Sequence, residues 1–311
     1  MRPRTTSIRL ATLGDRRHVR ADRDDAPTGV LRASFDAYPT ALFKAEQSRF
    51  YRGLRALPPG RYYGIDIDAP GTGYDDIDAA ARVEESAGSR FRKTLARVPG
   101  ESLDDEASRL ERALALLPRH RDGDLYQDLH AMIETLRYTA LAHPAVDYEA
   151  LRPAMAYRET AMKRRVEWLL GTLADDEVLV LMGHAFHLAK DDGALGHAGV
   201  GPGGDQVHSL GHHLVQNLGV QARSVWLLYG GGEDSQPFPD LPTNARYPDD
   251  SINSQLAKYG SPLVLPTAPA KAGALAEPVG VGHMYNLVVP VHLASQADAV
   301  FFIARVTPLQ A

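Results

Sequence analysis

The sequence predicts an α/β protein in which a mostly parallel sheet is flanked by helices and carries an α-helical insertion. Short apolar runs that suit buried strands alternate with longer segments of helical periodicity. The best strand candidate, residues 177–183, is almost continuously apolar, which is typical of a parallel strand covered on both faces. Such alternation of strands and helices implies right-handed crossover connections within the sheet.

Composition limits the chemistry that the chain can perform. Its 311 residues include no Cys, which excludes a disulfide framework, a zinc ribbon, a thiolate nucleophile and an iron–sulfur site. A formal net charge of −5 argues against a nucleic-acid partner, because phosphate binding needs a clustered basic surface. No apolar run reaches the roughly 18 residues of a transmembrane helix, and the N-terminus lacks a signal-peptide pattern. We therefore expect a soluble, cytoplasmic protein with no membrane partner and no cofactor.

The first 32 residues are predicted to form a disordered leader. They hold eight Arg and four Asp, with one short apolar run at residues 8–13. So few apolar side chains cannot bury enough surface to offset the entropy lost on ordering the chain. The predicted α/β domain therefore extends over residues 33–311.

The elements of this domain follow from hydrophobic periodicity. An amphipathic helix is predicted at residues 35–57, and an aromatic and β-branched run at residues 61–68 predicts a buried strand with an acidic tip. Residues 75–147 form the helical insertion, with charged helices at about 75–87, 102–117 and 123–142. A long helix at 148–173 and the strand at 177–183 come next. The remaining elements are a Gly-rich loop at 191–204, a helix at 207–218, and strands at 222–229, 262–265 and 298–304.

Two histidines, His184 and His187, directly follow the best strand. Ligands of open α/β sheets bind outside the carboxyl ends of the strands, and Gly183 permits a close approach of the backbone. The sequence therefore predicts that both imidazoles line one pocket at this edge of the sheet.

Arg158 interrupts the apolar stripe of the long helix, and we expect it to lie level with His184. Counting back from Leu173 gives about 22 Å along the helix, and counting forward from Glu177 to His184 gives about 23 Å along the strand. A buried guanidinium requires an anionic partner, and Asp66 at the end of another predicted strand is the candidate. If Arg158 instead extends to solvent, no such partner is needed.

Three weaker motifs lie between residues 199 and 212. Residues 207–211 read V-H-S-L-G, similar to a nucleophile elbow without its first Gly, which would make Ser209 a nucleophile. Residues 199–204 match G-x-G-x-x-G, but no predicted strand precedes them. His208 and His212 have the i,i+4 spacing of metal ligands, although histidines on a helix more often carry no metal. No metal site is predicted.

The long helix and the strand after it resemble the erythromycin esterase family. The helix contains R-E-T-A-M at 158–162 and W-L-L at 168–170, and the strand ends in H-A-F-H at 184–187. The corresponding family motifs are R-[DE]-x-x-M, W-L-L and H-N-x-H, with Ala185 here in place of Asn. Further agreement comes from G-I-D at 64–66 and A-D-A-V-F-F-I at 297–303, so the resemblance covers about residues 35–308.

The resemblance implies hydrolysis of a macrolactone or related ester without an acyl-enzyme. A histidine general base activates water, while cationic and hydrogen-bonding groups stabilise the oxyanion. By motif match His184 and His187 are the catalytic pocket histidines, and Arg158, Glu159 and Asp66 support them.

The family's general base lies in a G-E-x-x-H motif after its first strand. Here only G-D-R-R-H at residues 14–18 has that spacing, which makes His18 the candidate base. The alternative is a non-catalytic or biosynthetic-accessory relative that retains the pocket but lacks the base. Neither the substrate nor the oligomeric state can be read from the sequence.

Overall fold

The computed structural model describes residues 7–12, 62–65, 67, 88–96, 98–117, 124–144, 148–191, 208–233, 244–267, 273, 275, 277–282 and 287–307. These residues fall into two compact units, of which the first ends at Gly183 and the second begins at His184. Each unit has its own sheet and its own buried apolar core. None of the described helices is long and apolar enough to cross a membrane.

Within the described part of the first unit, three strands form a parallel sheet. Its strands are β1 (Ser7–Thr12), β2 (Tyr62–Gly64) and β3 (Glu177–Met182), and β1 lies between the other two. Thr12 at the end of β1 lies opposite Gly64 at the end of β2 and Met182 at the end of β3. The carboxyl ends of all three strands are therefore level.

The position of β1 corrects the predicted leader. Residues 7–12 lie within the segment expected to be disordered, yet they pair in parallel with two strands. The prediction is wrong for these six residues, because pairing on both sides supplies the backbone hydrogen bonds that an Arg-rich composition alone does not reveal. The rest of residues 1–32 lies outside the described part of the chain.

Among the described residues, four helices lie between β2 and β3. They are α1 (Ser89–Leu95), α2 (Leu103–Leu114), α3 (Asp124–Ala142) and α4 (Tyr148–Gly171). The helices predicted at 102–117, 123–142 and 148–173 are confirmed, α1 was not predicted, and the helix at 75–87 lies outside the described residues. In α4 the apolar stripe is fully buried at Met162, Val166 and Leu169.

Arg109 of α2 is almost completely buried and joins α2 to the end of α1. Its Nε donates to Glu101 Oε2 at 2.9 Å, and its Nη1 donates to the Leu95 carbonyl oxygen at 2.8 Å. Phe91, Leu95 and Leu110, on the same two helices, belong to the buried apolar core of this unit. The guanidinium therefore satisfies polar groups that have little access to water.

We expect Arg109→Met to lower the free energy of unfolding by about 3 kcal/mol, because it leaves the Glu101 carboxylate, whose side chain is only 12% exposed, without its cation. Urea unfolding followed by circular dichroism would measure this loss. Arg112→Met is the matched control, since Arg112 is exposed on the same helix and its replacement should change stability by less than about 0.5 kcal/mol. Equal effects of the two substitutions would contradict the assigned role of Arg109.

Strand β3 is less covered than predicted. Its alternate side chains Val178, Val180 and Met182 are 48%, 37% and 44% exposed, whereas Leu179 and Leu181 are half-buried. The expectation of cover on both faces is wrong. Within the described sheet β3 is an edge strand, and the strand period of two places the three exposed side chains on one face.

The second unit contains a mixed sheet and two antiparallel strand pairs. Strands β4 (Val225–Tyr229), β7 (Leu263–Pro266) and β10 (Ala299–Ile303) form the sheet, with β10 in the middle, parallel to β4 and antiparallel to β7. The antiparallel pairs are β5 (Gly232–Glu233) with β6 (Asn244–Ala245), and β8 (Val279–Gly282) with β9 (Val288–Val291). The strands predicted at 222–229, 262–265 and 298–304 are confirmed.

Short helices complete the second unit. They are α5 (Leu210–His212), which continues as a π-helical turn at His213–Asn217, α6 (Ile252–Ala257) and α7 (Leu293–Gln296). The helix predicted at 207–218 is thus confirmed only in part. Over both units, helices and strands mix as in an α/β protein, but among the described strands three pairings are parallel and three antiparallel. A mostly parallel sheet is not confirmed.

Candidate functional site

The two histidines after β3 lie in a compact turn. We call residues 184–191 the histidine loop. The backbone N–H of His187 donates to the carbonyl oxygen of His184 at 3.1 Å, which closes the turn and brings the two rings to a centroid separation of 6.2 Å. Phe186 places its ring edge to face with His184 at 5.1 Å. The two imidazoles are half-buried neighbours within the second unit.

The ring of His184 has a defined hydrogen-bonding polarity. Its Nδ1 accepts a hydrogen bond from the backbone N–H of Phe186 at 3.3 Å. In a neutral imidazole one nitrogen accepts and the other carries the proton, so this contact assigns the proton to Nε2. His184 is therefore prepared to donate a hydrogen bond from Nε2 rather than to take a proton there.

Contacts from two later segments hold the backbone of the histidine loop. The N–H of Gly211 donates to the His187 carbonyl oxygen at 2.9 Å, and Ser209 Oγ donates to the Ala189 carbonyl oxygen at 2.9 Å. Gln296 Oε1 accepts from the N–H groups of Lys190 and Asp191 at 2.8 and 3.2 Å.

A salt bridge adds to these backbone contacts. Lys190 Nζ lies 2.6 Å from Asp298 Oδ2, an oxygen that also accepts from the backbone N–H of Ser224 at 2.7 Å. Burial raises the pKa of the Asp298 carboxyl, but the hydrogen bonds from Lys190 and Ser224 outweigh it, and the pKa lies below its usual value. Lys190 in the histidine loop thus pairs with an Asp298 carboxylate that is charged at neutral pH.

Ser209 does not have the setting of a nucleophile. It is 4% exposed and caps α5, where its Oγ accepts from the His212 N–H at 3.1 Å while donating to Ala189. A nucleophile elbow instead presents an exposed hydroxyl on a strand-to-helix turn. The hydroxyl of Ser209 serves local structure, so the serine-esterase hypothesis is not supported.

His208 and His212 are arranged as a stack rather than as a chelating pair. Their ring centroids are 4.0 Å apart with an interplanar angle of 7°. A metal binds an imidazole nitrogen in the plane of the ring, so two rings stacked face to face do not converge on one ion. Over the described ranges, no three His, Asp or Glu side chains form a group that suits a metal.

The other predicted site residues belong to the first unit or lie outside the described residues. Arg158 is half-buried and Glu159 is buried, both on α4. Asp66 and His18 lie outside the described part of the chain. Whether Arg158 lies level with His184 stays a prediction.

A charged cluster between α3 and α4 was not predicted. Arg164 Nη2 lies 3.2 Å from His130 Nδ1 and also forms an ion pair with Glu134, whose Oε2 is 3.7 Å from the same His130 nitrogen. Glu134 is buried. The i,i+4 spacing of His130 and Glu134 was the available sequence signal, but it does not reveal that Arg164 joins them from another helix.

Burial lowers the pKa of His130, and the positive charge of Arg164 lowers it further. Because the folded state holds this imidazole neutral, the unfolded state takes up its proton first as the pH falls below about 6.5. We therefore expect the free energy of unfolding to decrease from pH 7.5 to pH 5.5, and His130→Gln to reduce that decrease. Urea unfolding at the two pH values measures both. His143 lies directly after the end of α3 and is exposed, so His143→Gln should retain the wild-type dependence. The same retention in His130→Gln would contradict the prediction.

Comparisons with known proteins show a shared fold at low identity. No family model matches the chain, and no curated protein matches it. A protein of Bacillus cereus is a similar solved structure, at 14% identity over 99% of this chain and 83% of that chain, with a TM-score of 0.64. A succinoglycan biosynthesis protein, also of Bacillus cereus, has 14% identity over 97% and 80% and a TM-score of 0.63.

The third structure is an erythromycin esterase, a histidine-to-asparagine mutant in its open conformation. It has 13% identity over 97% of this chain and 84% of that chain, with a TM-score of 0.52. At such identities the comparison concerns the fold and not the reaction. The chain is thus distantly related in structure to an erythromycin esterase.

Proposed function

We propose that this protein hydrolyses a macrolactone or related ester with water activated by a histidine. The observation that carries the proposal is the level alignment of the carboxyl ends of β1, β2 and β3. In sequence, each of these strands is followed within six residues by a side chain suited to the reaction: His18 after β1, Asp66 after β2 and His184 after β3.

Level strand ends favour one site built from several strands. In open α/β sheets, ligands bind at the carboxyl edge, where the loops that follow the strands meet. The central strand β1 was expected to be disordered, and its place in the sheet gives the G-D-R-R-H segment the position after a strand that the erythromycin esterase pattern requires. This supports His18 as the general base.

The polarity of His184 supports a division of roles between the histidines. A neutral imidazole with its proton on Nε2 donates a hydrogen bond, which suits the oxygen that becomes negative when water attacks the carbonyl carbon. A separate base must then take the proton of the attacking water, and this role falls to His18. His187, whose ring lies beside that of His184, binds or polarises the substrate carbonyl.

Arg158 is proposed to add positive charge for the oxyanion. It is half-buried on a helix whose apolar stripe is buried at Met162, Val166 and Leu169, so its charge acts in a medium of lower polarity than water. Asp66 and the buried Glu159 are proposed to hold the guanidinium in place.

One observation favours the alternative of a non-catalytic relative. Ala185 occupies the position of the motif Asn and packs partly buried against the apolar core of the second unit. The loop therefore lacks one amide that could bind substrate or water. Such a relative would bind the same ester without opening it.

The proposal is tested by incubating the protein with a panel of macrolactones and simple lactones and following the products by mass spectrometry. Hydrolysis adds the mass of one water and yields a free carboxylate. Turnover of at least one member supports the proposal. Binding of a panel member in calorimetry with no turnover would overturn it and favour the non-catalytic alternative.

A further inference from the structure

The histidine loop is fixed by residues that the proposed reaction does not use. Gly211, Ser209 and Gln296 each bond to the loop backbone, and none of them was predicted to support the histidines. They come from the start of α5 and from the end of α7. Hydrogen bonds from three residues in two segments leave the loop little freedom.

Gly211 approaches the loop more closely than any other residue type could. A Cβ built at this position would lie 2.3 Å from both the carbonyl carbon and the carbonyl oxygen of Leu188, and 2.6 Å from the Ala189 oxygen. These are backbone atoms, so they cannot yield as the end of a flexible side chain would. The absence of a side chain allows the Gly211 N–H to reach the His187 carbonyl oxygen.

Ser209 holds the loop at Ala189, two residues after the His187 carbonyl that Gly211 contacts. Ala189 is fully buried, so its carbonyl oxygen needs a partner within the protein, and Ser209 Oγ supplies it. Because the same hydroxyl caps α5, the start of that helix and the histidine loop are tied through one oxygen.

Gln296 closes the end of the loop. Its side chain is fully buried, its carbonyl oxygen accepts from two consecutive backbone N–H groups, and its amide donates to the Asp191 carbonyl oxygen. All three bonds go to the loop backbone. A buried amide with these bonds favours one backbone conformation strongly, since any other would leave several polar groups unpaired.

We propose that Gly211, Ser209 and Gln296 are positioning residues that set the orientation of the His184 and His187 imidazoles through the loop backbone. The catalytic consequence rests on the proposed function, whereas the orientation itself does not. The three residues touch no reacting atom, so their effect passes through the loop. A displacement of about 1 Å in such a loop can cost up to about 100-fold in rate.

The orientation is tested without a substrate. In protein labelled with ¹³C-histidine, the imidazole signals of His184 and His187 are assigned from His184→Gln and His187→Gln, and then compared in Gly211→Ala and Gln296→Met. We expect both signals to shift in each variant while the thermal transition stays cooperative. Gly171→Ala is the matched control, because a Cβ at position 171 meets nothing within 4 Å, and it should leave both signals in place.

Two conservative substitutions distinguish positioning from general damage. Gln296→Glu keeps an acceptor for the two N–H groups, and Ser209→Thr keeps the hydroxyl, so both should retain more of the wild-type signals than Gln296→Met and Ser209→Ala. If Gly211→Ala does not fold, the test is the comparison of Ser209→Thr with Ser209→Ala and of Gln296→Glu with Gln296→Met. Unchanged imidazole signals in folded Gln296→Met and Ser209→Ala would overturn the proposal.

The rate provides a second measurement once a turned-over ester is known. Gln296→Met should lower kcat by about 10-fold to 100-fold with a smaller change in KM, since the misplaced groups act at the reacting carbonyl. Shifted signals in a protein that turns over no ester would support positioning and count against the proposed function alone. A wild-type kcat despite shifted signals would refute the catalytic consequence of the positioning.

Discussion

His18→Gln is expected to reduce kcat for ester hydrolysis by about 10²-fold to 10⁴-fold, the contribution typical of a general base. Gln has a similar size and can hydrogen-bond to water, but it cannot take up the proton that the attacking water releases. Binding of the ester should change little, because the base contacts water rather than the substrate. Initial rates and calorimetric binding constants, measured on the same preparation, separate the two effects.

His143→Gln provides the control for His18→Gln, since it makes the same chemical change at an exposed position directly after α3. It should leave kcat unchanged. A wild-type kcat in His18→Gln would show that His18 is not the general base. If His18→Gln still hydrolyses the ester and its rate still depends on a group that titrates near neutral pH, another histidine is the base.

His184→Ala is expected to lower kcat by about 10²-fold to 10³-fold, as the loss of one donor to an oxyanion does. The reason is the tautomer: Nδ1 accepts from the Phe186 N–H, which assigns the proton to Nε2, and we propose that this Nε2–H donates to the developing oxyanion. His184→Gln retains an N–H donor and should lose less activity than His184→Ala. Steady-state kinetics of both variants on one ester measure the difference.

An equal loss in the Ala and Gln variants of His184 would show that the ring does more than donate one hydrogen bond. An unchanged kcat with a raised KM would instead assign His184 to ground-state binding, since only interactions stronger in the transition state raise kcat. Either result leaves the His18 prediction intact, so the two histidines are tested independently.

Much of the secondary structure could be predicted because it depends on local periodicity. Helices α2, α3 and α4 and the strand β3 follow from the spacing of apolar residues, which is a property of the segment itself. Strand β1 could not be predicted in this way, since its short apolar run lies in an Arg-rich segment and is ordered by two partner strands distant in sequence. The prediction that β3 is covered on both faces failed for the same reason. The exposure of a strand depends on the elements that pack against it and not on its own composition.

In the candidate site, too, local features could be predicted from the sequence and contacts between distant segments could not. The proximity of His184 and His187 could be predicted because four residues of one turn contain them both. The role of Ser209 could not, since the motif around it gives no sign that its hydroxyl bonds to Ala189. Gln296 lay outside every motif, and only the folded chain brings it to Lys190.

The link between Gln296 and the histidine loop has a consequence for biosynthesis. The residues that it joins lie 106 positions apart, so the loop leaves the ribosome long before its final contact exists. During translation the two histidines are present but not yet held in their final orientation. A nascent chain released before Gln296 would therefore carry both imidazoles without the contact that closes the end of their loop.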